Sequence, residues 1–212
     1  MDNNSTDTVA LIERARAGDA AALNEIFARH RARLRRMVEM RLDWRLQARL
    51  DASDVIQEAY LEIAQRLDEY LRDPALPLFL WMRLVVGERL LKLHRHHLGT
   101  QMRDAGREIA LYRGALPEAS SAALAAQLLG HDTRPSEAAI RAERKIRLQE
   151  ALNSMDPLDR EVLALRHFEQ LNNAETAQAL ELPESTASKR YIRALKKLKE
   201  ILTSLPGGRE GI

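Results

Sequence analysis

Apolar positions recur three and four residues apart over most of the chain, the spacing that places them on one face of a helix. Val9, Leu11 and Ile12 open such a stripe within residues 7–42. Gly18 and Asp19 interrupt it, and Leu23, Ile26 and Phe27 resume it, with Asp19 placed to cap the new helix. The pattern predicts a further helix over 52–71, burying Val55, Ile56, Ala59, Tyr60, Ile63 and Leu67, with Pro74 and Pro77 as its stop. Another is predicted over 78–97, ending at Gly99.

From 100 to 135 the periodicity weakens. Gly106, Gly114, Pro117, Ser120, Ser121, Gly130 and Pro135 punctuate it, and only 122–129 suggests helical turns. It returns with Ser136 as the cap of a helix over 137–153. Asp156 and Pro157 then form an N-cap followed by proline in the first position. No segment alternates with period two. The predicted class is all-α: two small helical domains joined by a flexible linker. They span 8–99 and 136–205, with 100–135 as the linker.

The segment 171–202 sharpens this picture. It reads as a short helix, a three-residue break and a long basic helix, the layout of a helix-turn-helix. Ala177 is small enough for two helices to cross there, and Leu180 and Leu182 supply an apolar wedge. Pro183 breaks the first helix and tolerates the start of the second. Ser185, Thr186, Ser188, Lys189 and Arg190 fall in the first turns of the second helix, which reach base edges and phosphates in this motif. Arg193, Lys196, Lys197 and Lys199 extend its basic character. The alternative is an ordinary helical hairpin with a solvated basic face. Glu181 stands in the turn where glycine is usual, at a cost of about 1 kcal/mol if the backbone turns left-handed.

Composition changes the picture in two ways. Aromatics make up only 4% and charged residues 30%, which favours helices over strands. The net charge is only +2, so nucleic-acid affinity must come from local clustering. The absence of cysteine excludes disulfides and thiolate metal sites and suits a reducing cytoplasm. Residues 1–8 are polar, without a signal core, and no apolar run is long enough for a membrane span, so a cytoplasmic protein without membrane insertion is expected. No phosphate loop, zinc helix or nucleophile elbow appears, and enzymatic activity is not expected.

The helix predicted over 78–97 carries Arg83, Arg89, Lys92, His94, Arg95, His96 and His97, with Trp81 among apolar neighbours. A basic groove with an aromatic suits single-strand capture, although Trp81 fits the core better than it fits base stacking and the histidines fit a basic surface. His96 and His97, adjacent and expected to face apart, make a poor metal site.

Several blocks together carry a resemblance. LIERARAGD at 11–19 is followed by Ala22 and Leu23, and DASDVIQEAY occupies 51–60. LFLWM at 78–82 precedes the basic run 89–97, and DPLDREV at 156–162 precedes the helix-turn-helix. In order and spacing they resemble the bacterial extracytoplasmic-function (ECF) sigma factors, the small two-domain members of the sigma-70 family. The resemblance implies that Asp51, Ser53, Asp54, Gln57 and Glu58 belong to a helix that docks on core RNA polymerase, on its β′ and β subunits. It implies that Trp81, Arg83, Glu88, Arg89, Lys92, Arg95 and His96 engage the −10 element. Ser185, Thr186, Ser188, Lys189, Arg190 and Arg193 are then the −35 reading set. No cofactor is implied, since polymerase supplies the chemistry.

Three departures from the family pattern stand out. Glu181 replaces the turn glycine, and Gly87-Glu88 replaces a polar amide at the base pocket. Ser53 replaces an acidic residue in the docking run. Phosphorylation of Ser53 would restore the missing charge; the competing role is a helix cap. An anti-sigma factor or a Ser/Thr kinase is a candidate partner. Two other functions compete with the sigma factor: a helix-turn-helix regulator that binds duplex DNA without polymerase, and a sigma-like protein that docks without initiating.

Overall fold

Gly18, at φ 87°, and the N-cap Asp19 divide the first apolar stripe into α1, Asn3–Arg16, and α2, Ala20–Arg41, in the computed structural model. Asp19 accepts a hydrogen bond from the Ala21 N–H at 2.9 Å and pairs with Arg14 at 2.6 Å. Helix α3 spans Ala52–Arg72 and α4 spans Leu78–Leu98; the prolines at 74 and 77 fall between them. Then follow α5, Ser121–Leu129; α6, Ala138–Asn153; α7, Pro157–Leu163; α8, Asn173–Ala179; and α9, Glu184–Ser204. Helix α7 continues into a wider π-helical turn, Ala164–Phe168. The structure describes residues 3–47, 49–98, 116–130 and 138–204, and no strand occurs among them. The fold is all-α.

The chain divides into two compact units, Met1–Pro117 and Glu118–Ile212. In the first, α1 packs on α2, and α2, α3 and α4 pack on one another. Its core holds Ile26, Leu34, Met37, Met40, Ile56, Ile63, Met82 and Leu90. Val55, Ile56, Ala59, Ile63 and Leu67 are buried on α3, while Tyr60 is half-buried and donates its hydroxyl to Asn24.

In the second unit α5 packs on α6, α7 on α9 and α8 on α9. Leu124, Leu148, Leu152 and Leu163 are fully buried there. The helical turns expected inside the linker are therefore a packed helix, because Leu124 and Ala125 find apolar partners. The segment before α5 is tied to α7: the Ala119 N–H donates to Glu161 Oε2 at 3.1 Å, and Arg160 reaches Glu118 at 3.4 Å. The expected stop at Gly99 and cap at Ser136 lie outside the described residues, as do 100–115 and 131–135 of the expected linker.

Candidate nucleic-acid interface

In the second unit the break between α8 and α9 is built from local hydrogen bonds. Asn172 caps α8 with a capping box: it accepts from the Glu175 N–H at 2.8 Å, while Glu175 accepts from the Asn172 N–H at 2.9 Å. At the other end Glu181 takes φ 53°, the left-handed conformation usual for glycine. The Leu182 N–H returns to the Ala177 carbonyl at 2.9 Å and the Glu181 N–H to Gln178 at 3.3 Å, a Schellman closure. Asn173 Nδ2 donates to the Glu184 carbonyl at 3.0 Å and ties the start of α8 to the start of α9. Ala177 is buried; Leu180 and Leu182 are only half-buried, so the wedge is shallower than expected.

Helix α9 buries a stripe of Ala187, Ala194, Leu198 and Ile201 and turns its polar residues outward. Ser185 and Lys189 are exposed, and Thr186 and Ser188 half-buried, all within its first turns. Arg190 and Arg193 differ: both bind Asp159 of α7. Burial raises the Asp159 carboxyl, but hydrogen bonds from Arg193 and Arg190 outweigh it, and the group stays below the ordinary carboxylate range. Asp159 was not legible as a functional residue. It reads as an ordinary acidic residue in a first helical turn, and its partners lie more than thirty residues away.

In the first unit Asp51 caps α3. It accepts from the backbone N–H groups of Ser53 and, at 3.0 Å, Asp54; the Asp54 carboxylate answers the Asp51 N–H at 3.1 Å. Those bonds, Asp54 first and then Ser53, hold the Asp51 carboxyl below its usual value. The cap role considered for Ser53 therefore falls to Asp51, which sits at the non-helical residue from which the first N–H groups can be reached. Ser53 is half-buried and lines a groove of about 300 Å³ with Arg31, Phe27, Ile56, Gln57 and Tyr60. Asp51, Asp54, Gln57 and Glu58 are exposed.

Helices α3 and α4 are laced by ion pairs. Glu58 accepts from Arg89, Glu62 from Arg89 at 3.5 Å and Lys92 at 3.4 Å, and Glu88 from Arg66 at 2.7 Å. Glu88, Arg89 and Lys92 thus already bind α3 side chains. Trp81 is 8% exposed and stacks on Tyr70 at 4.4 Å, so its core role is the observed one. Tyr70 donates to the Leu76 carbonyl at 2.9 Å, and Tyr70, Trp81, Arg66 and Leu76 line a cavity of about 330 Å³. Arg83 is buried, while Arg95 and His96 are exposed near the end of α4. His94 is buried and accepts from the Asp43 N–H at 3.3 Å. The His96 and His97 rings do not face apart: they meet edge to face at 4.9 Å. Among the described residues no three His, Asp or Glu side chains cluster as metal ligands.

These features define a helical protein with a helix-turn-helix in one unit and an acidic helix start beside a basic helix end in the other. The sigma-70 region 4 family profile matches residues 145–198. The ECF RNA polymerase sigma factor SigD of Mycobacterium bovis is 30% identical over 191 residues, covering 90% of this chain and 82% of SigD. SigD of Mycobacterium tuberculosis strain H37Rv matches to the same extent. Among solved structures, CnrH in complex with the cytosolic domain of CnrY shares the fold, with TM-score 0.54, 21% identity and coverage of 93% of this chain and 97% of that one.

The chain belongs to the ECF sigma factors of the sigma-70 family. Its function is that of an ECF RNA polymerase sigma factor, which directs core polymerase to promoters and initiates transcription. The reading as a polymerase-independent helix-turn-helix regulator gives way to it. Among the described residues no helix is long and apolar enough to cross a membrane.

Proposed function

We propose that the first unit docks on core polymerase through Asp51, Ser53, Asp54, Gln57 and Glu58 and engages the −10 element through α4. The second unit reads the −35 element through the start of α9. The observation that carries this reading is the turn Glu181–Leu182, closed on Ala177, after which α9 opens with Ser185 and Lys189 exposed and Thr186 and Ser188 half-buried beside them. Lys92, Arg95 and His96 are the exposed members of the −10 set, and Arg190 and Arg193 stand behind the reading turn. Trp81 supports the −10 face from the core, and Arg83, Glu88, Arg89 and Lys92 hold α4 in place around it.

On this reading the protein acts in the cytoplasm, where polymerase works, and performs no catalysis itself. A kinase acting on Ser53, or an anti-sigma factor covering the docking face, is the proposed control. Reconstitution tests the whole. Purified protein with sigma-free core polymerase is expected to start transcription at specific sites, mapped by their 5′ ends. Replacing Asp54 and Glu58 together by alanine is expected to abolish this and leave duplex binding by the second unit intact. Specific initiation by core polymerase that does not depend on these two carboxylates would refute the docking assignment.

A further inference from the structure

Two arginines of α9 point back into their own unit. Arg190 Nη1 donates to Asp159 Oδ1 at 2.7 Å. Arg193 Nη2 donates to the same oxygen at 2.6 Å, and its Nε to Oδ2, completing a bidentate fork. Asp156 accepts a longer bond from Arg190 at 3.3 Å. The Asp159 N–H donates to Asp156 Oδ1 at 3.2 Å, so the cap of α7 fixes the residue that holds both cations. The anion is hidden while one cation is not: the Asp159 side chain is 7% exposed and the Arg193 side chain 59%.

Accepting α9 as the −35 helix, we infer that Asp159 is a positioning residue for promoter discrimination, restraining Arg190 and Arg193 so that the recognition helix attracts phosphate less and reads bases more. A free arginine on a recognition helix gains affinity on any sequence, because phosphate carries no sequence information. An arginine already neutralised by a fixed carboxylate releases fewer counterions on binding. The fork also sets the crossing of α7 and α9, and with it the point at which Ser185, Thr186 and Lys189 meet the groove. An uncharged isostere at Asp159 raises the charge of this face by one, breaks the fork to Arg193 and leaves both guanidinium groups only neutral, weaker hydrogen bonds to the remaining amide oxygen.

The test uses the full chain assembled with core polymerase. Its DNA probes are a promoter duplex identified by transcription-start mapping and the same duplex with its −35 element scrambled, each titrated over a range of salt. Asp159→Asn is expected to lower discrimination between the two about 10-fold, mostly by tightening on the scrambled duplex, and to steepen the salt slope by about one. Asp159→Glu is expected to recover both toward the parent. Arg193→Lys keeps the charge and loses the fork; it is expected to lower discrimination about 3-fold at unchanged slope, and it serves if Asp159→Asn does not fold.

Equal weakening on both duplexes at unchanged slope would mean a purely structural role and overturns the inference. Unchanged discrimination in Asp159→Asn and Arg193→Lys overturns it as well. Lys189→Ala separates the two levels. If it leaves affinity and slope unaltered, the −35 reading itself fails. If it weakens binding while the Asp159 and Arg193 variants behave as the parent, only the positioning role fails.

Discussion

The side chain of Leu116 fills the space above Gly87 in α4: a Cβ built on Gly87 would stand 1.6 Å from Leu116 Cδ2 and 2.9 Å from its Cγ. This approach pins residue 116 to the middle of the helix, one residue from Glu88. It also explains why a glycine is accepted inside α4, where it costs about 1 kcal/mol relative to alanine.

Gly87→Ala therefore sets helix propensity against overlap. In the parent chain it is expected to destabilise the first unit by about 1–2 kcal/mol, overpacking outweighing the propensity gain. In Leu116→Ala, where the space is free, the same change is expected to stabilise by about 0.5–1 kcal/mol. Urea denaturation of the four proteins reads the change of sign; the same sign in both backgrounds contradicts the contact.

Glu181 holds φ 53° at the turn between α8 and α9. Glu181→Gly is expected to raise the stability of the second unit by about 0.5–1 kcal/mol, the left-handed cost partly offset by a more flexible unfolded chain. Glu181→Val is expected to lower it. Thermal melting of both variants checks the order, and a parent melting above the glycine variant would contradict it.

His30 of α2 lies 5.4 Å from the Phe79 ring, and burial, with Arg33 and Arg29 adding to it, lowers its pKa from 6.5 to about 4. The unfolded chain binds its proton near pH 6.5 and the folded chain only near 4, so between these values unfolding takes up a proton. At pH 7 and above the residue is neutral in both states and contributes nothing. Stability is lost as pH falls from about 6.5 to about 4. His30→Gln is expected to lose less stability than the parent between pH 7 and pH 4.5, measured by denaturant titration. Parallel losses would remove His30 as the cause.

Ser53 stands two residues beyond the true cap, at the second helical position, with Asp51 accepting from its N–H. A phosphate there would add roughly −1.5 to −2 charges at a helix N-terminus, where anions are stabilised. Ser53→Glu is expected to bind core polymerase about 3- to 10-fold more tightly than Ser53→Ala. Equal affinity of the two variants excludes charge at Ser53 as a switch.

What the sequence determined by itself was local. The 3.6-residue period marked the helices, the Gly18-Asp19 break and the Asp156-Pro157 start, because a helix and its caps are decided by neighbours three or four residues apart. The helix-turn-helix was legible for the same reason, down to the strained Glu181. Only the tertiary structure decided which side chains are available. It paired Arg190 and Arg193 with Asp159, and Arg89 with Glu58. It buried Trp81 and Arg83, moved the α3 cap from Ser53 to Asp51, and seated Leu116 on Gly87. Most of these contacts join residues tens of positions apart. A charge or an aromatic carries no mark in the sequence of the partner that packing will bring to it, and that partner decides whether it is offered to another molecule or spent within its own unit.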